Sequence, residues 1–112
     1  MMISFATPKL EKLANDNAAL SKHVAKQNAH CIADDIVSVL DALGAAETSF
    51  DLPGSLRPHP LKGNLKGYFA VDVSKTHRII FRPDHEEDPE FRIDNHKTIK
   101  RIEITAICVD YH

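Results

Sequence analysis

Apolar positions along this 112-residue chain follow two different periods, and the change from one to the other divides it. Residues 3–6 form a short apolar run that reads as a first strand. Thr7-Pro8 comes next, a helix-capping residue followed by proline at the first helical position, with Glu11 four residues after the cap. Leu10, Leu13, Ala14, Leu20 and Val24 then recur at helical spacing. Asn15-Asp16-Asn17 is expected to interrupt this helix, because those side chains compete for backbone groups. A second helix is predicted from about 26 to 43: Ile32, Ile36, Leu40 and Leu43 make its apolar stripe, Ala33 and Val37 widen it, and Gly44 suits the stop. The two helices should form a hairpin that buries one face on a sheet.

Beyond the helices the period shortens. Residues 51–60 read as a loop punctuated by Pro53-Gly54, Pro58 and Pro60. Prolines restrict the unfolded chain, which suits a loop that holds side chains in place. Residues 68–74 alternate as a strand with Phe69, Val71 and Val73 on one face. Residues 77–82 alternate again, with Ile79 and Phe81 opposed to Arg78, Ile80 and Arg82, and a turn near Ser74-Lys75-Thr76 makes the two a hairpin. Residues 83–97 are acidic and polar, an excursion before the last strand at about 101–111. The order is β-α-α-β-β-β, an α+β domain: an N-terminal helical hairpin packed on one face of a small, mainly antiparallel sheet. One domain spanning 1–112, with a polar insertion at about 83–100, is the expected organisation.

Composition narrows the class. Hydrophobic content of 43% and charged content of 27% are those of an ordinary globular chain. The opening Met1-Met2-Ile3-Ser4-Phe5 has neither a basic n-region nor a long apolar stretch, which argues against secretion and against membrane spanning. Cys31 and Cys108 are isolated, as reduced thiols of a cytoplasmic protein would be. None of the seven histidines falls at a zinc-binding spacing, so no metal is expected. The net charge of −2 hides an asymmetry: five of the sixteen acids lie within 84–90. Residues 57–82 hold six basic groups (Arg57, Lys62, Lys66, Lys75, Arg78, Arg82) against Asp72 alone. That stretch has the charge of a polyanion footprint.

Three groups carry candidate chemistry. Asp110-Tyr111-His112 ends the apolar run 102–109, so groups that accept, donate and stack sit on the end of a buried strand. Alternation would put Asp110 and His112 on one face, about 6.6 Å apart, with Tyr111 opposite. His59-Pro60-Leu61-Lys62-Gly63 is a stiff turn bearing two polar side chains, and Arg78 lies in His77-Arg78-Ile79-Ile80-Phe81. Singly each has a bland account: a turn, a strand arginine in a salt bridge, a frayed tail.

In order and spacing these blocks resemble the HigB-type toxins of the RelE/ParE superfamily. The resemblance starts at Pro8-Lys9-Leu10-Glu11-Lys12-Leu13 and runs through Asp51-Leu52-Pro53-Gly54, His59-Pro60-Leu61-Lys62-Gly63 with Lys66-Gly67, and Arg78-Ile79-Ile80-Phe81, to Asp110-Tyr111-His112. It implies a RelE-like fold and ribosome-dependent mRNA cleavage, in which the RNA's own 2′-hydroxyl attacks the adjacent phosphate, with no metal or organic cofactor. It also implies silencing by a cognate helix-turn-helix antitoxin, and contact with operator DNA only through the antitoxin complex. By position the catalytic set is His59, Lys62, Arg78, Asp110, Tyr111 and His112, with Arg57, Lys66, Lys75 and Arg82 on the RNA- and ribosome-binding face.

Those residue types suit the reaction. His112 or Asp110 would take the 2′-hydroxyl proton, Lys62 and Arg78 would neutralise the non-bridging oxygens, His59 is the candidate acid, and Tyr111 would stack on a base. Which histidine is acid and which is base is left open. The chain departs from the pattern in its slightly acidic charge, in its lack of tryptophan, and in His77, where an aromatic residue is expected and packing is the expected role. Two other readings share the fold: a toxin that poisons DNA gyrase, and a non-catalytic relative that binds antitoxin or operator.

Overall fold

The computed structural model describes residues 1–26, 33–74, 77–85 and 96–110, with backbone alone at Lys26, His96 and residues 108–110. Strand β1 (Met2–Phe5) leads into three helices, α1 (Pro8–Asn15), α2 (Asn17–Lys26) and α3 (Ala33–Ala45). Four strands follow: β2 (His59–Pro60), β3 (Phe69–Asp72), β4 (His77–Pro83) and β5 (Arg101–Asp110). Short 3-10 turns at Ser49–Asp51, Gly54–Leu56, Gly63–Leu65 and His96–Thr98 punctuate the connections.

The N-terminal signals act as their chemistry dictates. The Thr7 hydroxyl accepts from the Leu10 amide at 3.2 Å, and proline occupies the first turn of α1. The expected interruption falls at Asp16, whose carboxylate accepts from the Ala18 and Ala19 amides at 3.1 Å each and so caps α2 as α1 ends. Asn15 turns its side-chain amide back onto the Glu11 carbonyl at 3.0 Å. The second helix differs from expectation in its end: Gly44 is not the stop but lies inside α3, which runs to Ala45. The carbonyls of Leu43, Gly44 and Ala46 accept from the Met1 nitrogen, so a tertiary contact serves the helix end that a local glycine cap was expected to serve. The expected start of that helix lies, in part, outside the described residues.

The sheet has five strands in the order β1-β5-β4-β3-β2. β1 runs parallel to β5, and the other three pairings are antiparallel. The helices cover one face, where Leu13, Leu20, Ile36, Leu40 and Leu43 meet Phe69, Val71, Ile79, Phe81, Ile102 and Ile104. Phe69 and Phe81 face each other across β3 and β4, their rings stacked with centroids 5.9 Å apart. His77 is buried at the start of β4, in keeping with a packing role. No helix of the described residues is long and apolar enough to cross a membrane.

Two features escaped the strand pattern. His59–Pro60, expected as loop, is an edge strand pairing with Ala70 and Phe69; an edge position tolerates a residue with no amide hydrogen. β5 also carries extra residues against β4: the register steps from Phe81↔Ile104 to Ile80↔Ala106 and then to Arg78↔Val109. Such bulges sharpen the twist and re-aim the strand, so faces along β5 do not follow simple alternation from Ile102 to its end.

Candidate active site

The site is assembled at one end of β2, β3 and β4. His59 lies opposite Ala70, two residues before Asp72, and Asp72 lies opposite Arg78. These register positions carry His59, Asp72 and Arg78 to neighbouring places although 19 residues separate the histidine from Arg78. A terminal guanidinium nitrogen of Arg78 donates to His59 Nε2 at 3.0 Å. On the other side of the ring, His59 Nδ1 is 2.7 Å from the Arg57 carbonyl oxygen. A carbonyl only accepts and a guanidinium only donates. Both contacts are satisfied together when the ring carries its proton on Nδ1 and its lone pair on Nε2.

Arg57 owes this position to its backbone. Its φ of 49° and ψ of 55° make it the one described non-glycine residue with positive φ, at the end of the Gly54–Leu56 turn. The following Pro58 disfavours the right-handed helical region at Arg57, and the Arg57 amide donates to the Gly54 carbonyl at 3.0 Å. The side chain reaches Asp72, with Nε 3.7 Å from Oδ2. At 75% exposure for the arginine against 22% for the aspartate, this ion pair contributes little to stability. Its interest is positional, because it ties the Arg57 side chain to β3 at the residue that lies opposite Arg78 in the sheet register.

Lys62 sits on the turn after β2. The Leu61 amide donates to the Tyr68 carbonyl at 2.9 Å and the Lys66 amide to the Gly63 carbonyl at 3.1 Å. Gly63 and Gly67 take positive φ of 65° and 94°, which explains glycine at both bends. Lys62 and Lys66 are exposed on this loop. Arg82 lies further along β4 and donates from Nε to Glu103 at 3.0 Å, so it is engaged across the sheet.

Of the sequence-predicted catalytic set, His59 and Arg78 are therefore in direct contact and Lys62 lies on the adjoining turn. The backbone of Asp110 pairs with His77, next to Arg78, so β5 ends at the same end of the sheet. The side chain of Asp110, and Tyr111, His112, Lys75 and Cys31, lie outside the described residues, as does the side chain of Cys108. The acid role expected of His59 needs a proton on Nε2, the nitrogen that here accepts from Arg78. Sequence reasoning missed Asp72, counted only as the lone acid of a basic stretch, and the Arg57 carbonyl, which no side-chain pattern reports. It also missed His85, which is buried and accepts at Nε2 from the amides of Lys100 and Arg101, each at 2.9 Å.

This arrangement of helices on a five-stranded sheet is the fold found in solved structures of YoeB/ParE-type toxins. A YoeB/ParE toxin from Agrobacterium tumefaciens superposes over 100% of this chain and 99% of its own length, with a TM-score of 0.55 and 18% identity. YoeB in the YoeB-YefM complex from Staphylococcus aureus matches over 99% of this chain and 98% of its own, with a TM-score of 0.55 and 20% identity. Toxin YoeB of Streptomyces coelicolor is 39% identical over 31 residues, a stretch covering 28% of this chain and 37% of that protein. No family model matches the chain.

Proposed function

We propose that this chain, as a single domain over 1–112, is the toxin of a type II toxin–antitoxin pair and an endoribonuclease acting on mRNA at the ribosome. The observation that carries the reading is the His59–Arg78 contact with Lys62 on the neighbouring turn: a proton-transfer group beside two cations suited to a phosphate. In this reading the RNA's 2′-oxygen bonds to phosphorus as the bond to the 5′-oxygen breaks. Arg78 and Lys62 hold the non-bridging oxygens, while His59, Asp110 and His112 supply the proton acceptor and donor. The cations are side chains, so the scheme needs no metal or organic cofactor. Tyr111 stacks on a base, and Arg57, Lys66, Lys75 and Arg82 face RNA. Residue blocks favour the HigB type, whereas the structural neighbours are YoeB; the two agree at the level of the superfamily.

The partner follows from the same reading. A heterotetrameric toxin–antitoxin complex of YoeB and YefM from Staphylococcus aureus shares the fold. We assign this chain a cognate helix-turn-helix antitoxin, contact with operator DNA only through that complex, and the cytoplasm as its place of action. The test is cleavage of mRNA on programmed ribosomes by wild type, Arg78→Ala and a variant lacking His112, with naked mRNA as control. Ribosome-dependent cuts lost in both variants support the reading. Growth arrest in cells without cleavage would instead favour a gyrase poison.

A further inference from the structure

We propose that Arg57 is a positioning residue that acts through its backbone: its left-handed carbonyl sets the tautomer of His59 by itself, independently of Arg78. The proposal deepens the ribonuclease reading and rests on it only for the use made of the ring, which is to take a proton at Nε2. The setting of the tautomer stands on geometry. The carbonyl and the ring sit on two fixed pieces of chain. On one side the Arg57 amide donates to the Gly54 carbonyl at 3.0 Å and closes the turn, leaving Arg57 at a φ of 49° and a ψ of 55°. On the other, His59 pairs with Ala70 at the edge of the sheet. Pro58 joins the two with a restricted φ and brings no amide hydrogen of its own. The Arg57 oxygen is thereby set against the side chain two residues ahead, 2.7 Å from His59 Nδ1.

The two partners of the ring constrain it differently. No backbone amide among the described residues donates to the Arg57 oxygen, so its partner in the protein is the His59 ring. A carbonyl accepts and cannot donate, and it therefore selects the tautomer with the proton on Nδ1. The Arg78 guanidinium, 3.0 Å from Nε2, favours the same tautomer from the opposite side. A guanidinium has several N–H groups to share between the ring and an incoming anion, whereas a carbonyl has nothing to offer an anion and keeps its place. The lone pair on Nε2 is thus specified by the element that a phosphate does not engage. Position 57 then requires a backbone conformation rather than a cation. A left-handed φ is open to glycine and closed to β-branched residues. Glycine should preserve the device and valine should break it, although both remove the charge and the ion pair to Asp72.

The test reads the two ring nitrogens of His59 in ¹⁵N-labelled full-length protein by two-bond proton–nitrogen correlation, with His59→Asn supplying the assignment. Spectra are taken at about pH 8.5, roughly two units above the usual imidazole value, so that the rings are neutral. Wild type should show the proton on Nδ1, and Arg78→Ala should show the same. An even mixture, or a proton mainly on Nε2, in either protein would overturn the proposal, and that arm leaves position 57 untouched. In the Arg78→Ala background, Arg57→Val should lower the ratio of the Nδ1–H form to the Nε2–H form about five- to tenfold, the worth of one net hydrogen bond. Arg57→Gly in that background should leave the ratio unchanged. An unchanged ratio in the valine variant, shown to be folded by circular dichroism, would overturn the backbone assignment. An equal fall in both variants would overturn it too, by transferring the role to the arginine side chain and Asp72. No RNA enters the measurement, so its failure is separate from loss of ribosome-dependent cleavage, which bears on the ribonuclease reading alone.

Discussion

Replacing His85 with alanine should destabilise the protein more than any surface change, for reasons set by a few atoms. His85 follows β4, is 3% exposed, and accepts the amides of Lys100 and Arg101 at 2.9 Å each on one ring nitrogen. Beside it the Asp84 amide donates to the Arg101 carbonyl at 3.0 Å. These bonds clamp the two ends of the 86–99 segment together where β5 begins. Alanine leaves two part-buried donors without their acceptor and opens a gap the size of the ring. An unsatisfied buried amide costs about 1–3 kcal/mol, and the two share a single lone pair, so the expected loss is about 2–4 kcal/mol rather than the doubled figure. Urea unfolding followed by circular dichroism should show the midpoint lowered by about 1–2 M with an unchanged slope. His85→Gln, whose side-chain oxygen has two lone pairs, should recover at least half of the loss. A loss below about 0.5 kcal/mol for the alanine variant would refute the clamp, because no buried acceptor bridging two amides is that cheap to remove.

Other substitutions test separate parts of the reading. Gly44→Ala should stabilise the protein by about 0.5–1 kcal/mol in the same assay: the site is helical and an added Cβ would lie 3.7 Å from Ile3 Cδ1, an ordinary contact. Lys62→Ala should change stability by less than about 0.5 kcal/mol and lower ribosome-dependent cleavage by about a hundredfold, since the side chain is exposed and its proposed work is electrostatic. Glu103→Gln removes one charged partner of Arg82 and should cost less than about 1 kcal/mol, and at low salt the loss of one negative charge should speed the proposed association with ribosomes.

Legibility in the sequence followed the range of the interactions. Thr7, Pro8 and Asp16 announce helix boundaries because a cap is a contact between residues two to four apart. The alternation of Phe69 and Val71 against Ile79 and Phe81 announces a hairpin because its register needs only a short turn. Gly44 misled because the end of α3 is served by Met1, more than 40 residues away in the chain. The edge strand at His59–Pro60 was hidden for a similar reason: two residues carry no period, and only their pairing with Phe69 and Ala70 makes them a strand. The bulges in β5 are set by its partner, so they leave no local trace either.

The candidate site divides along the same line. Histidine, lysine and arginine at 59, 62 and 78 are types suited to a chemistry of protons and anions, and their order and spacing, through the resemblance, single them out. The state in which His59 performs it depends on two contacts that residue types do not carry. One comes from a backbone carbonyl turned by a left-handed arginine, and the other from a strand that meets β3 in a particular register. Sequence reading offered His59 as the candidate acid and left open which histidine is acid and which is base. With Nδ1 against a carbonyl and Nε2 accepting from a guanidinium, the ring carries its lone pair on Nε2, which suits the proposed role of proton acceptor better than that of donor. A pH–rate profile of ribosome-dependent cleavage tests this directly. If His59 accepts the first proton, the acidic limb of the profile should disappear in His59→Ala while the alkaline limb persists. Loss of the alkaline limb alone would return His59 to the role of acid.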